Sequence, residues 1–308
     1  MGIKLNYNQN PYTTLDDLRN HQPQNEYFVG IDSDGTVFDS MEIKHKDCFI
    51  GSLIRVFELA LITHEVHVVW NYVNIHSINR GTNRFKALLL TFNYLREINR
   101  VQELGIYIPK LQVLKNWVDT SASLSNDALI KLIDSVPQEE ESDLKIVLKW
   151  SEEVNRVVKT TVFNLPPMPG AIMAMKNLKI HADLFVISNT PTDTLYREWN
   201  DNNIMSNIIL IGGQETGTKT EMLKCVAKNK YAQDKILIIG DSPGDLSAAK
   251  NINALFFPIM PSSEMQSWNN FHQEYCNDFI NGNYAPDKEA KLIEEFQSSL
   301  KSSPSWTD

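Results

Sequence analysis

The sequence has few cysteines and no long apolar run. Cysteine occurs only three times in 308 residues, at Cys48, Cys225 and Cys276, and never with Cys-x-x-Cys spacing. This usage excludes a disulfide framework and a thiolate zinc site, and it is typical of a reducing compartment. No stretch of about 18 uncharged apolar residues is present, so no membrane span is expected. The first residues have neither the apolar segment of a signal peptide nor the Ser or Thr that myristoylation needs at position 6. These absences predict a soluble, cytoplasmic protein.

An excess of basic residues is also missing. Lys and Arg number 29 against 38 Asp and Glu, which gives a formal net charge of −9. Such a chain has no positive field with which to neutralise a nucleic-acid backbone. An anionic small molecule would have to be attracted by a local cluster of positive groups. We therefore expect a small-molecule partner and neither nucleic acid nor membrane, while the oligomeric state is not predicted.

The second half of the chain alternates short apolar runs with helix-length polar segments. Such runs are typical of strands buried on both faces of a parallel sheet, and the alternation predicts a doubly wound α/β fold. The predicted strands are Tyr27–Ile31, Leu184–Ile187, Ile208–Ile211, Ile236–Ile239 and Ala254–Phe257. The predicted helices between the later strands are Thr192–Asn200, Thr220–Asn229 and Leu246–Asn251.

A long segment between the first two strands has helical periodicity instead. It is too long for a loop, so we predict a helical domain inserted at 41–165 between a first core part at 1–40 and a second at 166–308. Its predicted helices are Asp47–Leu61, Arg84–Leu104, Leu111–Val118, Asn126–Ser135 and Asp143–Thr160. Its aromatic residues Trp70, Tyr72, Phe85 and Phe92 are expected to form its interior. A peripheral helix near Asp287–Leu300 and a frayed tail at 302–308 are expected to end the chain.

The first chemical signal follows the first strand. Asp32 and Asp34 are separated by one residue, so an extended chain would point both carboxylates to the same side. Two crowded acids repel each other unless a cation binds them or they take opposite proton roles. Gly35 and Thr36 come next. The alternative is an ordinary polar turn at Asp34-Gly35, but an acid at the strand tip favours a functional site.

Two further signals follow later strands. Ser188 and Asn189 come directly after the second strand, where a hydroxyl can donate to a phosphate oxygen, although polar residues after a strand are common. Thr190 is predicted to cap the next helix, with Pro191 at its first position. Farther along, Lys219 lies in the first turn of a helix.

The environment of this lysine is unusual. Thr218 and Glu221 form a predicted capping box around Lys219. A lysine in the first turn opposes the helix dipole, and a nearby anion would remove that penalty. The alternative is a solvated surface lysine, and Lys224 is the competing candidate, but it lies later in the helix.

The fourth signal ends the most apolar strand. Asp241 stands at its tip, and a carboxylate there needs a partner. Asp245 follows four residues later, behind Ser242 and Pro243. Asp245 is therefore also a candidate for a capping-box acid, and both alternatives stay open.

Weaker signals lie in the inserted segment. His64 and His67 flank Glu65-Val66, but the spacing of a zinc-protease motif is broken. Arg80 and Arg84 flank a turn. They are either exposed residues at a helix start or part of a loop that closes on an anionic or hydroxylated substrate.

Taken in order, these motifs resemble the haloacid dehalogenase superfamily of phosphohydrolases. Its first motif is matched by Asp32, Asp34, Gly35 and Thr36, and its second by Ser188. Its third-motif lysine falls on Lys219, and its final acidic pair on Asp241 and Asp245. The resemblance implies that the inserted segment is a cap, a helical lid of the kind that this superfamily places between its first two motifs.

The resemblance also implies a mechanism. Asp32 would attack phosphorus to form an aspartyl-phosphate, and Asp34 would serve as acid and then base. Mg²⁺ would be bound by Asp32, the main-chain carbonyl of Asp34, Asp241 and Asp245. Ser188, Lys219 and amides near Gly35 would hold the phosphoryl oxygens. Asn189, Gly35, Thr36, Arg80 and Arg84 are the candidate substrate contacts.

The resemblance leaves alternatives within the superfamily and outside it. A dehalogenase lacks the second aspartate of the first motif, so Asp34 argues against that activity. A phosphonatase would need a Schiff-base lysine from the cap and a different first motif. A sugar phosphomutase keeps all four motifs and is the second candidate. A non-catalytic phosphate-binding protein with the same fold is the candidate from a different class.

Overall fold

The computed structural model describes residues 12–121, 123–304 and 306. The first 11 residues, on which the prediction about targeting signals rests, lie outside these ranges.

The strands are β1 (Tyr27–Ile31), β2 (Ala182–Ile187), β3 (Leu210–Gly212), β4 (Ile236–Gly240) and β5 (Leu255–Pro258). The helices of the first half are α1 (Leu15–Asn20), α2 (Ile50–Val56), α3 (Thr63–Asn71), α4 (Arg84–Glu97), α5 (Asn99–Glu103), α6 (Gln112–Thr120), α7 (Asn126–Ile133) and α8 (Gln138–Thr161). Those of the second half are α9 (Pro169–Leu178), α10 (Thr192–Asp201), α11 (Lys219–Val226), α12 (Pro243–Asn251), α13 (Glu264–Asn270), α14 (Cys276–Ile280) and α15 (Asp287–Ser299).

The five strands form one parallel sheet in the order β3-β2-β1-β4-β5. The chain builds the sheet outward from β1 in one direction and then continues with β4 on its other side. This reversal creates a crevice at the carboxyl ends of β1 and β4, which is where open α/β sheets place their ligands. The predicted doubly wound fold is confirmed.

Helices cover both faces of the sheet because successive strand residues point to opposite sides. Phe28 packs with α11 and α15 on one face, in a cluster that contains Met222 and Phe296. Val29 and Ile31 pack on the other face, with α9, α10 and α13. The strand residues are apolar in both directions, as expected of a sheet that is buried on both sides.

The segment between β1 and β2 is the predicted helical insertion, and it has a hydrophobic core of its own. The four aromatic residues expected inside it are buried, and they pack with Trp150 of α8. On α8, Leu144, Val147, Val154 and Val158 form a buried stripe at helical spacing. We refer to this helical unit as the cap and to the sheet with its helices as the core domain. The boundaries at 41 and 165 remain predictions.

Several local predictions were wrong. The predicted helix Arg84–Leu104 is interrupted at Ile98, whose backbone is extended, so α4 and α5 are separate helices. Helices α1, α3, α9, α13 and α14 were not predicted. Just before the predicted frayed tail, Lys301 exchanges main-chain hydrogen bonds with His76 and Ile78 of the cap, and the tail itself is not uniformly frayed. Trp306 packs against Tyr72 and Tyr94 there, while residues 305, 307 and 308 lie outside the described residues. In the described ranges, no helix is both long enough and apolar enough to cross a bilayer.

Candidate active site

The end of β1 brings its acid into contact with the neighbouring strand. Asp32 is buried, and its main-chain N–H donates to the carbonyl of Ile239 in β4 at 3.0 Å. Gly35 follows in a left-handed turn with φ of +75°. A Cβ atom at Gly35 would lie 2.3 Å from Oδ2 of Asp241, so only glycine allows the two loops to approach this closely.

Three carboxylates meet at this crevice. Asp32, Asp241 and Asp245 are buried, and each offers an oxygen that lies within 4.8 Å of the others. Lys219 lies among them, with Nζ at 3.0 Å from Oδ1 of Asp32 and 2.5 Å from Oδ1 of Asp245. The predictions from the sequence therefore fall on one cluster, although they come from three separate segments.

The cluster contains more negative charge than its lysine can neutralise. Burial raises the pKa of Asp32; the ammonium of Lys219 opposes this shift, and the carboxylates of Asp245 and Asp241 add to it. Burial also raises the pKa of Asp241, again with a contribution from Asp245. Oδ1 of Asp32 has no well-aligned hydrogen-bond donor among the described residues. A buried group of hard oxygen ligands, in which the pKa values of Asp32 and Asp241 are raised, fits a divalent cation such as Mg²⁺.

Two helix caps fix the lysine and the last acid. Thr218 and Glu221 form the predicted capping box at the start of α11, which places Lys219 in the first turn with its side chain buried. Ser242 and Asp245 form the second capping box, at the start of α12. Oδ2 of Asp245 accepts from the main chain and hydroxyl of Ser242, while Oδ1 accepts from Lys219. Asp245 therefore both caps its helix and belongs to the acidic cluster. Lys224, the competing lysine, is exposed.

Asp34 has a separate set of partners. Its Oδ1 accepts from Ser40 at 2.6 Å and from Nζ of Lys44 at 2.5 Å, and its Oδ2 accepts from Thr190 at 2.7 Å. Lys44 is buried and also lies 2.9 Å from Oε1 of Glu198 on α10. Burial would raise the pKa of Asp34, but the charge and hydrogen bond of Lys44, together with the two hydroxyl donors, outweigh it and lower the pKa.

The contacts around Asp34 correct one prediction and add two residues to the candidate site. Thr190 does not cap the following helix: its hydroxyl is bonded to Asp34, and α10 begins at Thr192, whose main-chain N–H donates to Glu215. Lys44 and Glu198 were not predicted as site residues. Lys44 lies in a π-helical turn, Ile43–Phe49, directly after the first motif. Such turns are often found at functional sites, but this one is visible only in the structure, and no local pattern in the sequence indicates it.

A cavity of about 120 Å³ lies between the core domain and the cap. Seven of the predicted site residues line it: Asp32, Asp34, Arg84, Ser188, Asn189, Lys219 and Asp241. Its cap side includes His45, Phe49 and Asn155. The structure thus brings together catalytic candidates from the core domain and one of the two candidate arginines from the cap.

The remaining substrate candidates lie around Asp241. Gly35 is in contact range of its carboxylate, and Thr36 donates a hydrogen bond to its Oδ1 at 3.1 Å. Arg80 is buried, with Nη2 at 2.6 Å and Nε at 2.8 Å from Oδ2 of Asp241. None of the three is among the cavity-lining residues described above. Arg80 is therefore neither an exposed residue at a helix start nor a wall of the cavity.

A family comparison adds to this geometry. Residues 108–259 match the family model of the haloacid dehalogenase-like hydrolases. The matched range contains Ser188, Lys219, Asp241 and Asp245, and the first motif with Asp32 lies upstream in the adjacent strand. This part of the chain is therefore similar to the haloacid dehalogenase-like hydrolases. The match indicates a hydrolase, and the described residues form a Rossmann-like core domain and a helical cap.

Several solved structures resemble the chain, but only distantly. A haloacid dehalogenase-like hydrolase from Streptococcus pneumoniae is 13% identical, with 79% of this chain and 90% of that chain covered and a TM-score of 0.40. A hydrolase from Pseudomonas syringae is 14% identical, with coverages of 79% and 89% and a TM-score of 0.40. A predicted phosphatase from Clostridium acetobutylicum is 13% identical, with coverages of 76% and 85% and a TM-score of 0.40. Because these TM-scores are below 0.5, they carry no argument about activity. The comparison with curated proteins found no match.

Proposed function

We propose that this protein is a Mg²⁺-dependent phosphatase of the haloacid dehalogenase superfamily, and that it hydrolyses a small phosphomonoester through an aspartyl-phosphate on Asp32. The observation that carries the proposal is the meeting of Asp32, Lys219 and Asp241 at one wall of a small cavity, at the reversal point of the sheet. A non-catalytic phosphate-binding protein would not need three buried acids beside its lysine, because carboxylates repel a phosphate.

Asp32 is the group suited to attack. It is held at the tip of β1 and lines the cavity, and the ammonium of Lys219 stabilises its ionised, nucleophilic form. In the first step, a carboxylate oxygen of Asp32 bonds to phosphorus while the bond from phosphorus to the leaving oxygen breaks. In the second step, water attacks the phosphorus and releases the Asp32 carboxylate and inorganic phosphate.

Asp34 is the group suited to proton transfer. It would give a proton to the leaving oxygen in the first step and take one from the attacking water in the second. In the structure, the ion pair with Lys44 favours the ionised form of Asp34. A negatively charged phosphoryl group entering beside Asp34 would raise its pKa and so favour the protonated form that the first step needs.

The acidic cluster would hold the metal. Mg²⁺ would bind Asp32, the main-chain carbonyl of Asp34 and Asp241, with Asp245 as a ligand directly or through water. When bound, the cation supplies positive charge that offsets the repulsion between these acids and the phosphoryl oxygens. Arg80 and Thr36 would keep the Asp241 carboxylate in position.

Donors on the core side of the cavity would bind the phosphoryl group. These are the hydroxyl of Ser188, the ammonium of Lys219 and the main-chain N–H groups of Asp34 and Asn189, which have no hydrogen-bond partner among the described residues. The N–H of Gly35 is already bonded to the carbonyl of Phe38, so it is not available for this role. Such donors stabilise charge as it redistributes around phosphorus.

The cavity volume argues for a small substrate and against the phosphomutase alternative. Its volume of about 120 Å³ is below the roughly 300–1,000 Å³ of pockets that bind drug-sized ligands. A phosphatase needs room only for one small ester and a water, whereas a sugar phosphomutase must also accommodate a sugar bisphosphate.

The test is a screen of phosphomonoesters with Mg²⁺ and with EDTA, in which free phosphate is measured for wild type and for Asp32→Asn. We expect release that requires Mg²⁺ and Asp32. Transfer of the phosphoryl group back to a sugar, without free phosphate, would support the phosphomutase instead. Wild-type release by Asp32→Asn would refute the mechanism.

A further inference from the structure

The cap side of the cavity contains an arginine whose charge is not neutralised. Arg84 is the first residue of α4, where a positive side chain opposes the helix dipole. Its Nη1 donates to the carbonyl and hydroxyl oxygens of Ser151 and to Oδ1 of Asn155. These partners are neutral, and no carboxylate of the described residues lies within ion-pair distance of Arg84. The side chain is therefore held in place while its charge remains available.

Lys219 is also a cation at the start of a helix, but its surroundings differ from those of Arg84. Both cations lie in the first turn of a helix and line the same cavity, one on each side. Lys219 is compensated by Asp32 and Asp245, but Arg84 has no such partner. Burial lowers the pKa of Arg84 to about 10, with the charge of Glu215 as the opposing influence. Arg84 is half-buried, and a charge that is partly removed from water in this way is costly unless an anion binds to it.

A second donor lies nearby with a defined tautomer. The indole N–H of Trp70, which can only donate, lies 3.1 Å from Nδ1 of His45, so that nitrogen is the acceptor. In the neutral ring the proton is then on Nε2, which has no partner among the described residues. His45 and Arg84 both contact the ring of Phe49, with His45 stacked at 4.9 Å and the Arg84 guanidinium 5.4 Å from the ring centre. All three residues line the cavity.

We infer that the substrate carries a second anionic group on its leaving group, and that Arg84 and His45 bind this group. The inference rests on the proposed phosphatase function and specifies its substrate class. One small cavity contains both Asp32 and Arg84, so one compact molecule reaches both. A carboxylate or a second phosphate offers the shared chemistry, a planar or tetrahedral set of oxygens that a guanidinium binds through two N–H groups.

The experiment uses matched three-carbon esters that differ only at the end remote from the phosphate. They are 3-phosphonooxypropanoate, 3-hydroxypropyl phosphate and propane-1,3-diol bisphosphate, together with the two-carbon homologue of each. We expect kcat/KM for an anionic ester to exceed that of its neutral match by about 10- to 100-fold, as expected for a hydrogen-bonded charge pair. The carboxylate and bisphosphate arms identify which anion is preferred.

The variant Arg84→Gln retains hydrogen-bonding groups for Ser151 and Asn155 but loses the charge. It should reduce the anionic-to-neutral ratio by about 10-fold or more, mainly through KM, and Arg84→Lys should restore part of the ratio. Arg156→Gln, on the exposed side of α8 next to Asn155, is the matched control and should leave the ratio unchanged. Thermal melts show whether each variant is folded. Titration calorimetry on Asp32→Asn measures the same preference as Kd, without turnover.

The two hypotheses fail in different ways. Asp32-dependent hydrolysis with equal kcat/KM for anionic and neutral esters in both series would overturn the second-anion inference and leave the phosphatase intact. An unchanged ratio in a folded Arg84→Gln protein would overturn the role of this residue. Absence of Asp32-dependent hydrolysis of every ester, including p-nitrophenyl phosphate, would overturn the phosphatase and with it the inference that depends on it.

Discussion

The two sides of the cavity are built from different kinds of residue and by different means. The core side consists of acids and a lysine at strand ends and helix starts, and the acids carry more negative charge than the lysine neutralises. The cap side consists of an arginine, an imidazole and an amide, held by neutral partners. The core side thus has an excess of negative charge that a cation would offset, whereas Arg84 on the cap side has no counter-charge within ion-pair distance among the described residues. The core side is suited to a reaction that is the same for every substrate, and the cap side is suited to selecting the leaving group.

The largest effect should come from the nucleophile on the core side. Asp32→Asn keeps the shape of the side chain but removes the carboxylate that attacks phosphorus, so kcat should fall by about 10⁴-fold or more. Release of phosphate from several esters checks this. Since the chemistry is assigned to the core side, the loss should be the same for anionic and neutral esters.

Thermal unfolding supplies the control for this substitution. Asp32 has a pKa raised by burial and by neighbouring acids, so the neutral amide should not destabilise the core domain. A folded Asp32→Asn protein with residual activity that varies among esters would mean that the two sides do not divide their roles as described.

The next effect should be on metal dependence. Asp241→Asn should raise the Mg²⁺ concentration for half-maximal activity by about 100-fold or more, because a hard cation loses a charged ligand. Asp245→Asn should raise it less. Calorimetric titration of Mg²⁺ into each variant gives a measurement that does not depend on turnover. Identical Mg²⁺ profiles for wild type and Asp241→Asn would refute the metal site.

Asp245 differs from Asp241 in a second measurable way. Its carboxylate caps α12 and pairs with Lys219, so Asp245→Ala should lower the free energy of unfolding by about 3 kcal/mol, the cost of breaking a buried ion pair. Denaturant unfolding tests this value. A loss below about 1 kcal/mol, the worth of an ordinary cap, would mean that the ion pair adds nothing.

Whether a site residue could be predicted from the sequence depends on whether neighbouring or distant residues fix its position. Asp32, Ser188 and Asp241 directly follow apolar strands, so a local pattern and the geometry of parallel sheets were enough to locate them. Lys219 was predicted because its capping box is also local. Lys44 and Glu198 meet only because the cap folds over α10, and no short-range pattern contains that contact.

The same limit explains the errors. Thr190 has the sequence of a helix cap, but the nearby Asp34 carboxylate binds its hydroxyl and the cap is lost. Arg80 and Arg84 look alike in the sequence, yet one pairs with Asp241 and the other lines the cavity. Which arginine does which depends on the angle at which the cap meets the core domain, and that angle is set by packing between distant segments.

A moderate effect is expected at the junction of the two sides. Lys44 belongs to the cap but bonds to Asp34 of the core domain. Lys44→Met should reduce kcat by about 10- to 100-fold. Without the ammonium, Asp34, the proposed acid and base, would be displaced and would lie beside Glu198 with no counter-charge between them. Lys44→Arg, which keeps the charge, should recover part of kcat.

The control for Lys44 is its other partner. Glu198→Gln leaves the bond between Lys44 and Asp34 intact, so its kcat should stay closer to wild type than that of Lys44→Met. Equal losses in the two variants would mean that Lys44 acts only by stabilising the fold, since Glu198 contributes to the fold through the same ion pair but does not contact Asp34.

The smallest effect is expected where the tail of the core domain meets the cap. Helix α15 packs on β5 through Phe296, and the chain then crosses to the cap, where Lys301 bonds to the segment around Ser77 and Trp306 packs on Tyr72 and Tyr94. This tail joins the two units without contributing to the cavity.

Trp306→Ala should therefore lower Tm by a few degrees, consistent with the loss of two aromatic contacts of about 0.5–1.5 kcal/mol each. Its kcat on p-nitrophenyl phosphate should stay within about threefold of wild type, and Trp306→Phe should recover most of the loss in Tm. Calorimetry distinguishes the outcomes: a single broadened or split transition in Trp306→Ala would mean that the tail couples the unfolding of cap and core domain. An unchanged Tm with a large fall in kcat would instead mean that the tail positions the cap for catalysis, and the separation between a reactive core side and a selective cap side would then extend to the end of the chain.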